Sequence, residues 1–147
     1  WTPLHWAWTA DVARILIESG ANVAVRDMFR QTPLHMARRP EIASVLITSG
    51  ADVNARDVCG HTPLFTSVRP DVLGVLLDNG ANINHRNHDG DTALHYAVKG
   101  KYIDVINFLI SRGAKLNLRN KAGKRPLDLA RTKKIQQILI AAGAKKS

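Results

Sequence analysis

Apolar residues recur at steps of three and four in five short stretches, 12–17, 42–47, 72–77, 103–110 and 135–140, with polar residues between them. Such steps bring side chains onto one face of a helix, so each stretch predicts a helix with one buried side. A glycine follows each stretch, at Gly20, Gly50, Gly80, Gly113 and Gly143. A left-handed C-terminal cap needs a residue there that has no Cβ penalty. Ahead of each long helix a shorter one begins. Thr2, Thr32 and Thr62 each precede a proline, which suits a threonine N-cap with proline at the first helical position. Polar stretches link one helix pair to the next, usually through an Asp/Asn-x-x-Gly turn, as at 57–60, 87–90 and 120–123.

The pattern is a repeat. TPLH at 2–5 returns as TPLH at 32–35, TPLF at 62–65 and TALH at 92–95, each 30 residues on, and a worn RPLD at 125–128 follows after 33. A fixed period in this range means units stacked in a row rather than folded about one centre. We expect one domain of five units, about 1–30, 31–60, 61–90, 91–123 and 124–147, the first truncated and the last a basic cap. TPLHxA, an apolar helix and GADVNARDxxGxTPL in succession resemble the ankyrin repeat from end to end. The resemblance implies an all-α solenoid of helix-turn-helix units with projecting β-hairpin fingers. It also implies a concave groove, lined by inner helices and fingers, that binds another protein.

The departures matter. The familiar unit has 33 residues, and the three lost here fall between the two helices. The fourth unit keeps Val98-Lys99-Gly100-Lys101, whereas the second and third have Arg38-Arg39-Pro40-Glu41 and Val68-Arg69-Pro70-Asp71. Pro40 and Pro70 should start the outer helices, and the inner helices should shorten by about 4.5 Å at 1.5 Å per residue. Arg30 stands where the turn glycine is expected, so that turn must either place a side chain at positive φ or change type.

Charge changes the picture at one end. Residues 1–111 hold 10 basic and 11 acidic residues, and residues 112–147 hold 11 basic and one acidic, Asp128. The net charge of +9 is therefore terminal. An alternative function follows from it, contact with an anionic surface or nucleic acid through Arg112, Lys115, Lys121, Lys124, Arg125, Arg131, Lys133, Lys134, Lys145 and Lys146. No aromatic residue lies among them to stack on bases, and a terminal repeat needs a polar outer face, which favours simple capping. No long apolar run predicts a membrane span. The single cysteine, Cys59, forms no internal disulfide and demands no oxidising compartment. A cytoplasmic or nuclear location is the default, with a secreted effector left open. The chain opens at Trp1 inside a unit and without an initiator Met, so we expect a monomeric module within a longer chain.

Candidate chemistry is sparse. Cys59, His61, His88, Asp89 and Asp91 fall on consecutive fingers and could form a nucleophile with a base, or a zinc site. Finger tips project into solvent, however, and such sites need enclosure. No phosphate loop, nucleotide fingerprint, zinc-protease helix or CxxC pair is present. We expect no enzyme, no cofactor and no metal. His5, His35 and His95 occupy the motif position where, by the resemblance, the imidazole ties neighbouring units through backbone hydrogen bonds, with Phe65 replacing it once. Trp6, Met36 and Tyr96 share a register read as inner-helix packing.

Partner contact is expected at Arg26, Arg56, Arg86 and Arg119, a ladder in which each arginine precedes a finger-tip Asp or Asn. Guanidinium suits bidentate pairing with carboxylate, so a partner with an acidic strip fits; the plain alternative pairs each Arg with its own finger's Asp. Met28 and Phe29 are apolar at a tip and form the preferred hot spot. His61, His88, Trp8 and Arg38 complete the set.

Overall fold

The computed structural model describes residues 1–145. In chain order the elements are a 3-10 turn (Pro3–Trp6), α1 (Ala10–Glu18), α2 (Pro33–Met36), α3 (Pro40–Thr48), α4 (Pro63–Thr66), α5 (Pro70–Asp78), α6 (Ala93–Gly100), α7 (Ile103–Ser111), a 3-10 turn (Pro126–Leu129) and α8 (Lys133–Ala141). The five apolar stretches are thus the long outer helices. No strand occurs among the described residues, and the expected β-hairpin fingers are not confirmed. Each projecting segment is a tight turn, with one or two backbone bonds where a hairpin would need a ladder.

The chain packs as two compact units, Trp1–Asn82 and Ile83 onward. In the first, α1, α3 and α5 pack in one row, while the 3-10 turn, α2 and α4 form a second row against them. Leu4, Leu34, Leu64, Leu46, Leu73 and Leu76 fill the space between. In the second unit, α6 packs on α7 and on the turn at Pro126–Leu129, which in turn meets α8. Leu94, Ile106, Leu109, Ile135 and Leu139 form its core.

The TPLHxA motif has one inward face. Its Leu, its His and the Ala three residues after the Leu are buried in the second and fourth repeats. The position after the His points away, so Trp6 and Tyr96 are exposed and only Met36 is half-buried. This corrects the reading of all three as packing residues.

Inner-helix length differs as the sequence requires. α6 has eight residues, whereas α2 and α4 have four, a difference of about 6 Å. Proline sets the limit, because it bars the preceding residue from helical angles. Arg39 (φ −132°, ψ 138°) and Arg69 (φ −117°, ψ 117°) are extended, and Pro40 and Pro70 open α3 and α5. Arg30 keeps the turn at a φ of 59° instead of changing its type. Lys101 adopts the same φ at the C-cap of α6, which the sequence did not reveal.

Candidate functional site

The finger tips are built on one side-chain oxygen. Asp27 Oδ1 accepts the backbone N–H groups of Phe29 (2.9 Å) and Gln31 (2.8 Å), and Asp57 does the same for Cys59 and His61, both at 2.8 Å. Asn87 holds the N–H groups of Asp89 and Asp91 in the same way. A backbone bond closes each turn, such as Asp27 N–H to Gln31 O at 3.0 Å. Burial acts against the charged form of Asp27, but the Gln31 and Phe29 N–H groups and the Trp1 indole outweigh it and hold the carboxyl below its usual value.

Neighbouring tips are stitched by backbone. Val58 N–H donates to Phe29 O at 2.9 Å in the first unit, and Lys121 N–H donates to Asp89 O at 2.8 Å in the second. The arginine ladder reinforces these contacts. Arg26 donates to Arg30 O of its own turn (3.1 Å) and to Arg56 O of the next (2.7 Å). Arg86 likewise reaches Gly90 O (3.1 Å) and Arg119 O, and Arg119 reaches Gly123 O at 2.7 Å. These guanidiniums bind carbonyl oxygens, not the Asp of their own finger. Arg56 is exposed, and its guanidinium has no hydrogen bond among the described residues.

Apolar groups stand out beside this scaffold. Met28 is 80% and Phe29 46% exposed at the first tip, although the Phe29 backbone is held on both its N–H and its C=O. Trp8 is 74% exposed and shares a cleft of about 280 Å³ with Arg38, Trp6 and Met36. A second cleft, about 440 Å³, is lined by Met36, Arg38, Ser67, Val68 and Arg69. The sequence places Trp8, Arg38 and Val68 in one register at the end of the inner helix, and Arg38 lines both clefts, with Trp8 in one and Val68 in the other; Arg69 was missed, although the missing inner-helix turn was the signal.

His61 is half-buried, with its ring stacked on Phe65 (5.1 Å between centroids) and Nδ1 3.4 Å from Asp57 Oδ2. Asp57, Cys59 and His61 each offer a ligand atom within 4.8 Å of the others. The carboxylate of this group already fastens the turn, which accounts for its position. Asp91 accepts from Lys99 Nζ at 2.5 Å and Asn120 Nδ2 at 2.7 Å. Burial opposes its ionisation, yet these two donors keep its carboxyl below the usual range. His88 is exposed at its tip.

The three motif histidines share one arrangement. Thr2, Thr32 and Thr92 N–H each donate to the Nδ1 of His5, His35 or His95 at 3.1 Å. The proton must then sit on Nε2, which donates to Gln31 O (3.0 Å), His61 O (3.2 Å) and Lys124 O (3.1 Å) respectively. Each imidazole therefore clasps the segment leading into the next repeat. Burial lowers the pKa of His35 and His95, and the carbonyl acceptors offset this only in part.

The basic end is partly neutralised from within. Arg125 is buried and paired with Asp128 at 3.2 Å, and Arg112 lies over Phe108. Lys115, Lys121, Lys124, Arg131, Lys133, Lys134 and Lys145 are exposed; Lys146 lies outside the described residues.

The family model for ankyrin repeats, in three copies, matches residues 1–57, 38–120 and 66–147. The chain belongs to the ankyrin repeat family. Comparison with curated proteins gives no match. Ankyrin repeats are generally protein–protein interaction modules without catalytic activity, and no helix among the described residues is long and apolar enough to cross a membrane. A further tie between repeats escaped the sequence reading. Asn54 bonds Gly80 O and Asn82 N–H, Asn84 bonds Lys115 N–H, and Asn117 bonds Lys145 N–H. The repeat of Asn at 54, 84 and 117 was the available signal, and Ala24 breaks it in the first unit.

Proposed function

We propose that this chain is a non-enzymatic module that binds another protein through its turn tips and the exposed side of its inner helices. In residues 1–82 the contact residues are Met28 and Phe29, with Arg26, Arg56, His61, Trp8 and Arg38. In the second unit they are Arg86, His88 and Arg119. The observation that carries this reading is the first tip, where two large apolar side chains face solvent from a backbone already fixed. Such rigid apolar groups bind at low entropic cost. Arg56, with its fork unengaged, adds a site for a partner carboxylate.

The test is capture of partners from native lysate by the chain and by a Met28→Ser/Phe29→Ser variant. A retained protein that the double variant releases supports the reading. Identical retention by both chains refutes the tip as the contact. A second reading, contact with polyanions, draws on the exposed lysines and arginines of residues 112–145 and is tested by charge reversal as described in the Discussion.

A further inference from the structure

We infer that the two clefts of the first unit receive an acidic, polyproline-II-like peptide segment carrying two apolar side chains three residues apart. The inference rests on the protein-binding reading and names the chemistry of the partner.

It begins with the missing helical turn. In α6 the second turn, 97–100, occupies the space beyond the first. In α2 and α4 that turn is absent, and Ala37 and Ser67 lead directly through extended backbone to the next helix. What remains are the two clefts, adjacent because Met36 and Arg38 line both. Their walls are apolar at Trp6, Trp8, Ile42 and Val68.

Charge selects the occupant. Arg38, Arg39 and Arg69 line the clefts, and no carboxylate does. Arg69 is paired with Asp71 at 2.9 Å, whereas the exposed Arg38 and Arg39 have no acidic partner among the described residues. An approaching segment therefore gains by carrying carboxylates between its apolar residues.

Spacing selects the conformation. Packed helices lie about 8–10 Å apart, so clefts formed beside successive inner helices recur at about that distance. A polyproline-II chain has three residues per turn and rises about 3.1 Å per residue, which returns a side chain to the same face after about 9 Å. A β-strand would place residues three apart on opposite faces. Grooves lined with aromatic rings accept the polyproline-II form because it is already ordered.

The probe is the acetylated, amidated peptide Pro-Leu-Asp-Glu-Leu-Pro. All three tryptophans, Trp1, Trp6 and Trp8, lie in the first unit, so indole emission reports binding directly. We expect saturable quenching by this peptide, about tenfold weaker binding to Arg38→Glu, and loss of binding when Lys-Lys replaces Asp-Glu or when a glycine is inserted between the leucines. Val68→Glu should weaken binding as well, with circular dichroism confirming that both variants remain folded. No quenching up to the solubility of the peptide, equal affinity for the lysine version, or indifference to Arg38→Glu overturns the inference. A partner lost with Met28→Ser/Phe29→Ser but kept by Arg38→Glu would leave the tip reading standing and remove this one alone.

Discussion

His95 shows how one side chain joins two repeats. Its Nδ1 accepts from Thr92 N–H while Nε2 donates to Lys124 O, so only the neutral ring serves both. Protonation would place a second donor against the amide N–H. The consequence for pH follows from the lowered pKa of His35 and His95. Above the usual value of 6.5 both folded and unfolded chains hold these rings neutral, and the stability they confer is complete. Below 6.5 the unfolded chain binds protons that the folded chain refuses, so stability falls with acidification until the folded rings titrate. Calorimetry should give a constant Tm above about pH 7 and a decline toward pH 5, and His95→Ala should flatten that slope. The same substitution should cost about 2 kcal/mol at neutral pH, because it leaves the buried Thr92 N–H and the part-buried Lys124 C=O without the ring. Arg30 offers the opposite case. At φ 59° it carries a strain that glycine would not, and Arg30→Gly should raise stability by about 1 kcal/mol in urea titration. Both sites were visible beforehand, the histidines through motif position and Arg30 through the glycine it replaces. The arginine ladder was visible only as spacing. Its carbonyl acceptors lie 4, 30 and 33 residues away, and sequence does not show which oxygens a folded turn will present.

Among the elements, the outer helices show how local rules and packing share control. Thr9 and Thr132 cap α1 and α8, accepting from Val12 N–H and Ile135 N–H. Arg39 and Arg69 precede α3 and α5 without a side-chain cap, so proline alone sets the start. Thr132→Ala should therefore destabilise by about 1 kcal/mol, and Arg39→Asp should stabilise by a similar amount by supplying the missing acceptor. Asn54, Asn84 and Asn117 bridge successive repeats where Ala24 cannot. Ala24→Asn should accordingly add about 1 kcal/mol, read as a higher Tm. The outer helices were legible in the sequence to within two or three residues, because the apolar period states which face is buried. The strands implied for the fingers do not occur among the described residues. A lone Oδ1 organises each turn, and local side-chain bonds of this kind compete with ladder formation.

For the whole molecule, the separation of charge gives the decisive comparison between partners. If an acidic protein strip is the ligand, Arg56→Glu should weaken its binding and Lys133→Glu/Lys134→Glu should not. If a polyanion is the ligand, the lysine pair should matter, and affinity for random duplex DNA should fall steeply as salt rises. Neither outcome could be read from net charge alone, since Arg125 contributes to the total yet is buried against Asp128. Every tryptophan falls before residue 9, while both tyrosines, Tyr96 and Tyr102, belong to the second unit. Excitation on the red edge of indole absorption, where phenol does not absorb, therefore follows the melting of the first unit alone without a dye or a tag.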